Sequence, residues 1–196
     1  MKNLVRIRVE GEKVVLEPVP DPLDIIKELV VKETEDVERE VRDLRKIAGK
    51  ELFKGSRKRM MLIETDIFLP LVSVKDKHHL EALKLIDKLE GKLVLSPYSF
   101  IELDLIIRSG RILISDIPAF YQAISTFLDY RRIRRIPPKP IYHAEAYRLR
   151  QKYEELAYFD SLHAAVSITE KLEHISYDTV YEKVKGVNYV HPSRYI

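Results

Sequence analysis

Residues 4 to 19, LVRIRVEGEKVVLEPV, alternate apolar and polar positions on both sides of Glu10-Gly11-Glu12-Lys13. That period of two predicts a β-hairpin with glycine near its turn. Pro20-Asp21-Pro22 stops the hairpin, and a short helix is predicted from about Leu23 to Val30. A longer, charged helix is predicted from about Thr34 to Lys50, in which Val37, Val41, Leu44 and Ile47 fall at spacings of four and three. So narrow a stripe needs a partner to cover it. Gly55-Ser56-Arg57-Lys58-Arg59 is a polar, basic break, which places a linker near residues 54 to 59.

Beyond the break the pattern changes. MMLIETDIFLPLV reads as a buried strand running into a helix start, His79 to Leu89 as a helix, and GKLVLSP as a second short strand bounded by Gly91 and Pro97. Helices follow over Ser99–Ser109, about Pro118–Tyr130, His143–Tyr153 and Asp160–Leu172, and HISYD and VNYVHP read as the last two strands. Strands alternating with helices predict an α/β sandwich around a mainly parallel sheet. The expected division is a hairpin and helical arm over residues 1–57 and an α/β domain over 58–196.

With 196 residues, the chain can fill a domain of about 130 residues plus an appendage. The absence of cysteine excludes disulfides and thiolate metal sites, leaving histidine and carboxylate as ligands. No apolar stretch approaches the roughly 20 residues that span a bilayer, and the alternating N-terminus is no signal-peptide core, so a soluble cytoplasmic protein is expected. A third of the residues are charged while Asn and Gln are scarce, the habit of proteins from thermophiles. A net charge of +3 is too small to identify a nucleic-acid binder, so any such claim rests on where the basic residues sit.

The chemistry is carried by acids stranded inside apolar runs: Glu64 and Asp66 in MLIETDIFLPLV, Glu102 in LSPYSFIELDLIIRSG, Asp160 in AYFDSLHAAVSI and Asp178 in HISYDTVYEKV. Burying an acid is costly unless a cation meets it. In an open parallel sheet, acids at strand ends or in the first turn of the next helix face one crevice. Glu64 and Asp66, two apart, share a face if the first strand persists that far. Taken singly, Asp160 is a first-turn helix acid, Asp178 a turn former and Glu102 a solvated helix residue; only their joint order argues for a site. A hard divalent ion held by such oxygens lowers the pKa of a bound water, and a second ion about 4 Å away stabilises a leaving oxygen, which is phosphodiesterase chemistry.

From about residue 61 to 194 the chain resembles the PIN-domain nucleases, especially the VapC-type toxin ribonucleases. ETDIFL looks like their Asp-Thr-Asn/Ser signature, SPYSFIEL like the second-acid helix, YFDSLHAAVSI like the Asp-x-x-x-Ala-Ala helix, and ISYDTVYEKVKGVNYVHP like the closing Thr-x-Asp segment. The resemblance implies a PIN-like three-layer sandwich and a Mg²⁺- or Mn²⁺-dependent endoribonuclease cutting single-stranded RNA to 5′-phosphate and 3′-hydroxyl ends. Asp66, Glu102, Asp160, Asp178 and Glu64 would then be its catalytic, metal-holding acids. Glu64 stands where the family has its first Asp, and Asp66 where Asn or Ser is usual, so the ligand is Glu64, Asp66 or both. Ser176 matches the family's small hydroxyl residue and would orient a water or hydrogen-bond the acids, or be a plain strand-end serine.

Arg131, Arg132, Arg134 and Arg135 in YRRIRRIPPKP are the densest basic cluster, read equally as phosphate contacts or as cations at a helix C-terminus. His78 and His79 suggest a metal but lack a third suitably spaced histidine and read instead as a helix-start pair at the mouth of the site, and His163, one turn after Asp160, reads as a buried helix histidine or as a residue approaching the substrate. Tyr98, Tyr158, Tyr177 and Tyr181 flank the acids as core residues or base-stacking platforms. RIRVEGEKVVLEPVPDPLDIIKELV resembles the second half of an AbrB/VapB-type antitoxin hairpin with its tail. That likeness implies a toxin–antitoxin remnant packed on the nuclease domain in cis or across a homodimer, with inhibition relieved by deleting residues 1 to 57, or else a plain dimerisation arm. Two other classes compete: a non-catalytic RNA- or protein-binding module of PIN type, and a DNA-binding regulator acting through residues 1 to 20.

Overall fold

The computed structural model describes residues 4–10, 13–19, 21–32 and 60–196. The predicted helix 34–50, its Val37–Ile47 stripe and the linker at 54–59 lie outside the described residues. β1 (Leu4–Glu10) and β2 (Lys13–Val19) form the expected hairpin, antiparallel with Glu10 opposite Lys13. α1 (Pro22–Leu29) begins at Asp21, whose side chain accepts from the Leu23 amide at 2.9 Å, with Pro22 in the first position, where its missing N–H costs nothing.

The remainder is α/β. In chain order come β3 (Val30–Lys32), β4 (Met61–Ile63), α2 (Thr65–Val72), α3 (His79–Lys88), β5 (Leu93–Leu95), α4 (Ser99–Arg108), β6 (Leu113–Ile114), α5 (Ile117–Tyr130), β7 (Arg134–Arg135), α6 (Pro140–Lys152), α7 (Tyr158–Glu170), β8 (Glu173–Ile175) and β9 (Asn188–Val190), with 3₁₀ turns at Thr179–Lys183 and Pro192–Tyr195. Among the described residues one five-stranded sheet, ordered β7-β5-β4-β8-β9, has every neighbouring pair parallel.

Strand periodicity divides the core. Met61, Ile63, Leu93, Leu95 and Ile175 face one apolar cluster, which takes in Ile67 and Leu69 of α2, Leu85 of α3, Ile106 of α4 and Phe127 of α5. Met60, Leu62 and Val94 face the other, formed with Tyr142 of α6, Leu162 and Ala165 of α7, and Tyr181. These are the three layers expected: helices on both faces of a sheet whose central strands are buried throughout.

Three short strands escape the sequence pattern. β7 is a two-residue edge beside β5. β3 pairs antiparallel with β6, Val30 opposite Ile114, and the Ser115 amide donates to Leu29 O at 3.0 Å. α1 lies against α5 and buries Leu23 and Ile26 in the first cluster. Leu23, Ile26, Leu29 and Val30 therefore pack into the core of the larger domain.

Candidate functional site

Because β5, β4 and β8 are adjacent and parallel, their carboxyl ends lie at one edge of the sheet. Ile63 is opposite Leu95 and Leu62 opposite His174, so the next residues, Glu64, Ser96 and Ser176, emerge beside one another. α2 begins at once: Glu64 is its N-cap, with the carbonyl accepting from the amides of Ile67 and Phe68, both at 3.2 Å. The strand thus stops at Ile63 and does not persist through Asp66. Glu64 and Asp66 leave from a strand–helix junction, not from two positions on one strand face. Glu102 and Asp160 stand in the first turns of α4 and α7, where the helix dipole favours a negative charge.

Glu64 and Glu102 come together. With His163 of α7 they form a group whose ligand atoms all lie within 4.8 Å of one another, and all three side chains are 0 % exposed. His163 Nε2 is 3.3 Å from Glu102 Oε2 and 3.4 Å from Glu64 Oε2, while its Nδ1 is 2.6 Å from Ser96 Oγ. On the other side of Glu64, His174 Nε2 lies 3.3 Å from Oε1, with the ring of Tyr181 tilted against the imidazole at 4.2 Å between centroids. Glu64 is therefore bracketed by two imidazoles, one on each carboxylate oxygen.

Asp66 is held by a different set. Its Oδ2 accepts from Ser176 Oγ at 2.6 Å and from the Tyr177 amide at 2.7 Å, and Ser176 Oγ accepts in turn from the Asp178 amide at 3.0 Å. Asp178 starts the next 3₁₀ turn by accepting from the Val180 amide at 3.0 Å. Asp160 reaches back to the Ala157 amide at 2.9 Å, so the expected helix-start role is real, and the same helix carries His163 one turn further on. Asp66, Asp160 and Asp178 lie outside the tight group of three. All five acids are buried.

Of the basic cluster, Arg131 is turned inward. It pairs with Asp21 of the α1 cap at 3.2 Å and with Asp87, and its guanidinium sits over the rings of Tyr130 and Phe127. Arg135 is tied to Asp129 and to Ser125. Arg132 keeps 74 % of its side chain exposed, 3.8 Å from Glu90, and Arg134 is exposed on β7. His79 is buried, with Nδ1 2.6 Å from Pro70 O, and His78 stacks on Tyr177 at 3.7 Å between centroids. Tyr98 and Tyr181 are fully buried and belong to the core.

His163 read from sequence as a buried helix histidine, and its contact with both glutamates is what the reading lacked. His174 and Ser96 were not singled out at all. A signal existed: a histidine in a buried helix or strand must find polar partners, and the acids stranded in other apolar runs were candidates for that role.

The group fits a divalent ion by donor chemistry, since two carboxylate oxygens and an imidazole nitrogen are ordinary metal ligands and the crowded negative charge needs a cation. Among the described residues no helix is long and apolar enough to cross a membrane. No curated protein matches the chain. The family model described as the PIN domain matches residues 61–187, which runs from β4 to the segment before β9 and takes in all five acids. The acid-lined edge of a parallel sheet and this match agree: the chain belongs to the PIN domain family, whose members are in general metal-dependent nucleases.

Proposed function

We propose that the protein is a divalent-metal-dependent endoribonuclease that hydrolyses phosphodiester bonds in single-stranded RNA, of the toxin ribonuclease type. The observation that carries the reading is the convergence of Glu64 and Glu102, from segments 38 residues apart, next to the strand end where Ser176 links the Asp66 and Asp178 segments. Glu64 and Glu102 would hold the ion, with Asp66, Asp160 and Asp178 orienting water and substrate or sharing in the ion. The oxygens of these five acids suit Mg²⁺ or Mn²⁺. A divalent ion bound there supplies Lewis-acid stabilisation of the phosphoryl oxygens and an acidified water.

The chain's own groups do the rest. Ser176 and the Tyr177 amide fix the Asp66 carboxylate so that its other oxygen keeps one direction, and His174 does the same for Glu64. Desolvation by the surrounding apolar clusters strengthens every charge interaction at the edge. Arg132 and Arg134, exposed on the β7 side, are the members of the basic cluster free to meet a phosphate backbone.

The test is cleavage of labelled single-stranded RNA with Mg²⁺, Mn²⁺ or EDTA, beside Glu102→Gln and Asp160→Asn. Cleavage that is lost with EDTA and in both variants supports the reading. Cleavage indifferent to EDTA and to both variants would falsify it, and RNA binding without cleavage under any metal would favour the non-catalytic module.

For the arm, the docking of β3 on β6 and of α1 on α5 within one chain supports a cis arrangement, and we propose regulation by the arm on that footing. Homodimerisation and a cytoplasmic location belong to the same proposal.

A further inference from the structure

The nitrogen in the donor set alters which ion the site should take. We infer that His163 is itself a metal ligand, and that Glu64, Glu102 and His163 form a three-ligand site for a borderline divalent ion of the Zn²⁺ or Co²⁺ class, preferred over Mg²⁺. This rests on the reading that these acids hold a metal, and narrows it.

Three features support the assignment. The first is donor type: imidazole suits zinc, cobalt and their neighbours, whereas Mg²⁺ asks for oxygen and keeps its waters. The second is spacing. Nε2 of His163 stands 3.3 Å from Glu102 Oε2 and 3.4 Å from Glu64 Oε2. Ligands at about 2.0–2.1 Å around a tetrahedral ion are separated by about 3.3–3.4 Å. The third is orientation. A metal-binding histidine usually has its second ring nitrogen fixed by a hydrogen bond, and His163 Nδ1 has Ser96 Oγ at 2.6 Å, placed there because Ser96 follows β5 as Glu64 follows β4. Glu64 has the matching outer partner in His174, at 3.3 Å from the oxygen turned away from His163.

Three protein ligands is also the number that catalytic zinc sites use, which leaves the fourth position to water or substrate. The ordinary alternative is that the histidine only hydrogen-bonds the two glutamates. In that case any bound ion would be held by carboxylate oxygens, with Nε2 out of bonding reach.

The test uses the full-length chain, stripped of metal. Crystals soaked with Zn²⁺ are measured at the zinc absorption edge, and Zn²⁺ and Mg²⁺ affinities are compared by calorimetry for the wild type and Ser96→Ala. The expected result is an anomalous peak within about 2.3 Å of His163 Nε2. Zn²⁺ should bind at least tenfold tighter than Mg²⁺, and Ser96→Ala should weaken Zn²⁺ by roughly 10- to 100-fold. A peak among the carboxylates with Nε2 out of bonding reach, or equal affinity for the two ions, overturns the assignment of His163 and leaves the metal-nuclease reading intact. No binding of either ion overturns both. Because the wild-type peak decides the ligand set, a variant that fails to fold does not rescue the inference.

Discussion

Ser176 Oγ donates to Asp66 Oδ2 at 2.6 Å, joining the end of β8 to the first turn of α2 across 110 residues of chain. The same hydroxyl accepts from the Asp178 amide at 3.0 Å, so one small side chain is both donor and acceptor between two acid-bearing segments. Alanine can do neither. Ser176→Ala is expected to lower stability by about 1–3 kcal/mol in urea unfolding, because two buried groups lose a partner, while Ser176→Thr keeps the hydroxyl and most of the stability. Equal stability of wild type and Ser176→Ala would show that the bridge carries no weight.

His174 touches Glu64 from the side opposite His163, and it is fully buried. Replacing it by leucine leaves a buried carboxylate short of a polar neighbour, at a cost of about 3 kcal/mol. The double variant Glu64→Gln/His174→Leu should be destabilised by clearly less than the sum of its parts, since the charge is gone as well. Additive losses in a double-mutant cycle would show that the two side chains act independently.

Asp160 has two separable roles. Asparagine can still accept from the Ala157 amide, so Asp160→Asn should stay within about 1 kcal/mol of wild type, whereas Asp160→Ala should lose about 1 kcal/mol with its cap. RNA cleavage should fall in both, by more than roughly tenfold. If Asp160→Asn cleaves at the wild-type rate, the residue is a helix-start acid and nothing more.

Arg131 and Arg132 are neighbours with opposite expectations. Arg131 clamps Asp21 at the start of α1 with only 14 % of its side chain exposed, so Arg131→Ala should cost about 2 kcal/mol and loosen α1 in hydrogen exchange. Arg132→Ala should change stability by less than about 0.5 kcal/mol, because its side chain is mostly in water. If Arg132 and Arg134 meet phosphates, each alanine variant should reduce the slope of log affinity for RNA against log salt by about 1.

Burial, aided by Asp104, pushes the Tyr121 phenol up to about 12 from its ordinary value of 10.0. The folded state then holds this proton more tightly than the unfolded chain. Its contribution to stability is complete below pH 10 and is lost as the pH rises towards about 12. Tyr121→Phe should flatten the fall in stability over that window. The phenol is only half buried, so the change is expected to be small but of fixed sign.

Much of this was readable along the chain. The parity of Met61, Leu62 and Ile63 sets which side chains face each layer, and of the acids stranded in apolar runs Glu64 and Glu102 come together. Asp160 and Asp178 show the helix-start and turn roles expected of each alone, because those depend on backbone two or three residues away. Strands of two or three residues, such as β3, β6 and β7, carry too little period to be seen and exist because a neighbouring edge accepts them.

The sequence determined the alternation that makes the sheet, the helix starts and the set of acids, since these follow from local period and local hydrogen bonding. Tertiary structure alone decided that β4 stops at Ile63, so that Glu64 caps α2 instead of sharing a strand face with Asp66, that α1 joins the core, and that His163 and His174 close on the two oxygens of Glu64. Those partners are 99 and 110 residues from Glu64. At such a separation only the packing of α7 and β8 against β4 fixes which polar atoms can satisfy one another.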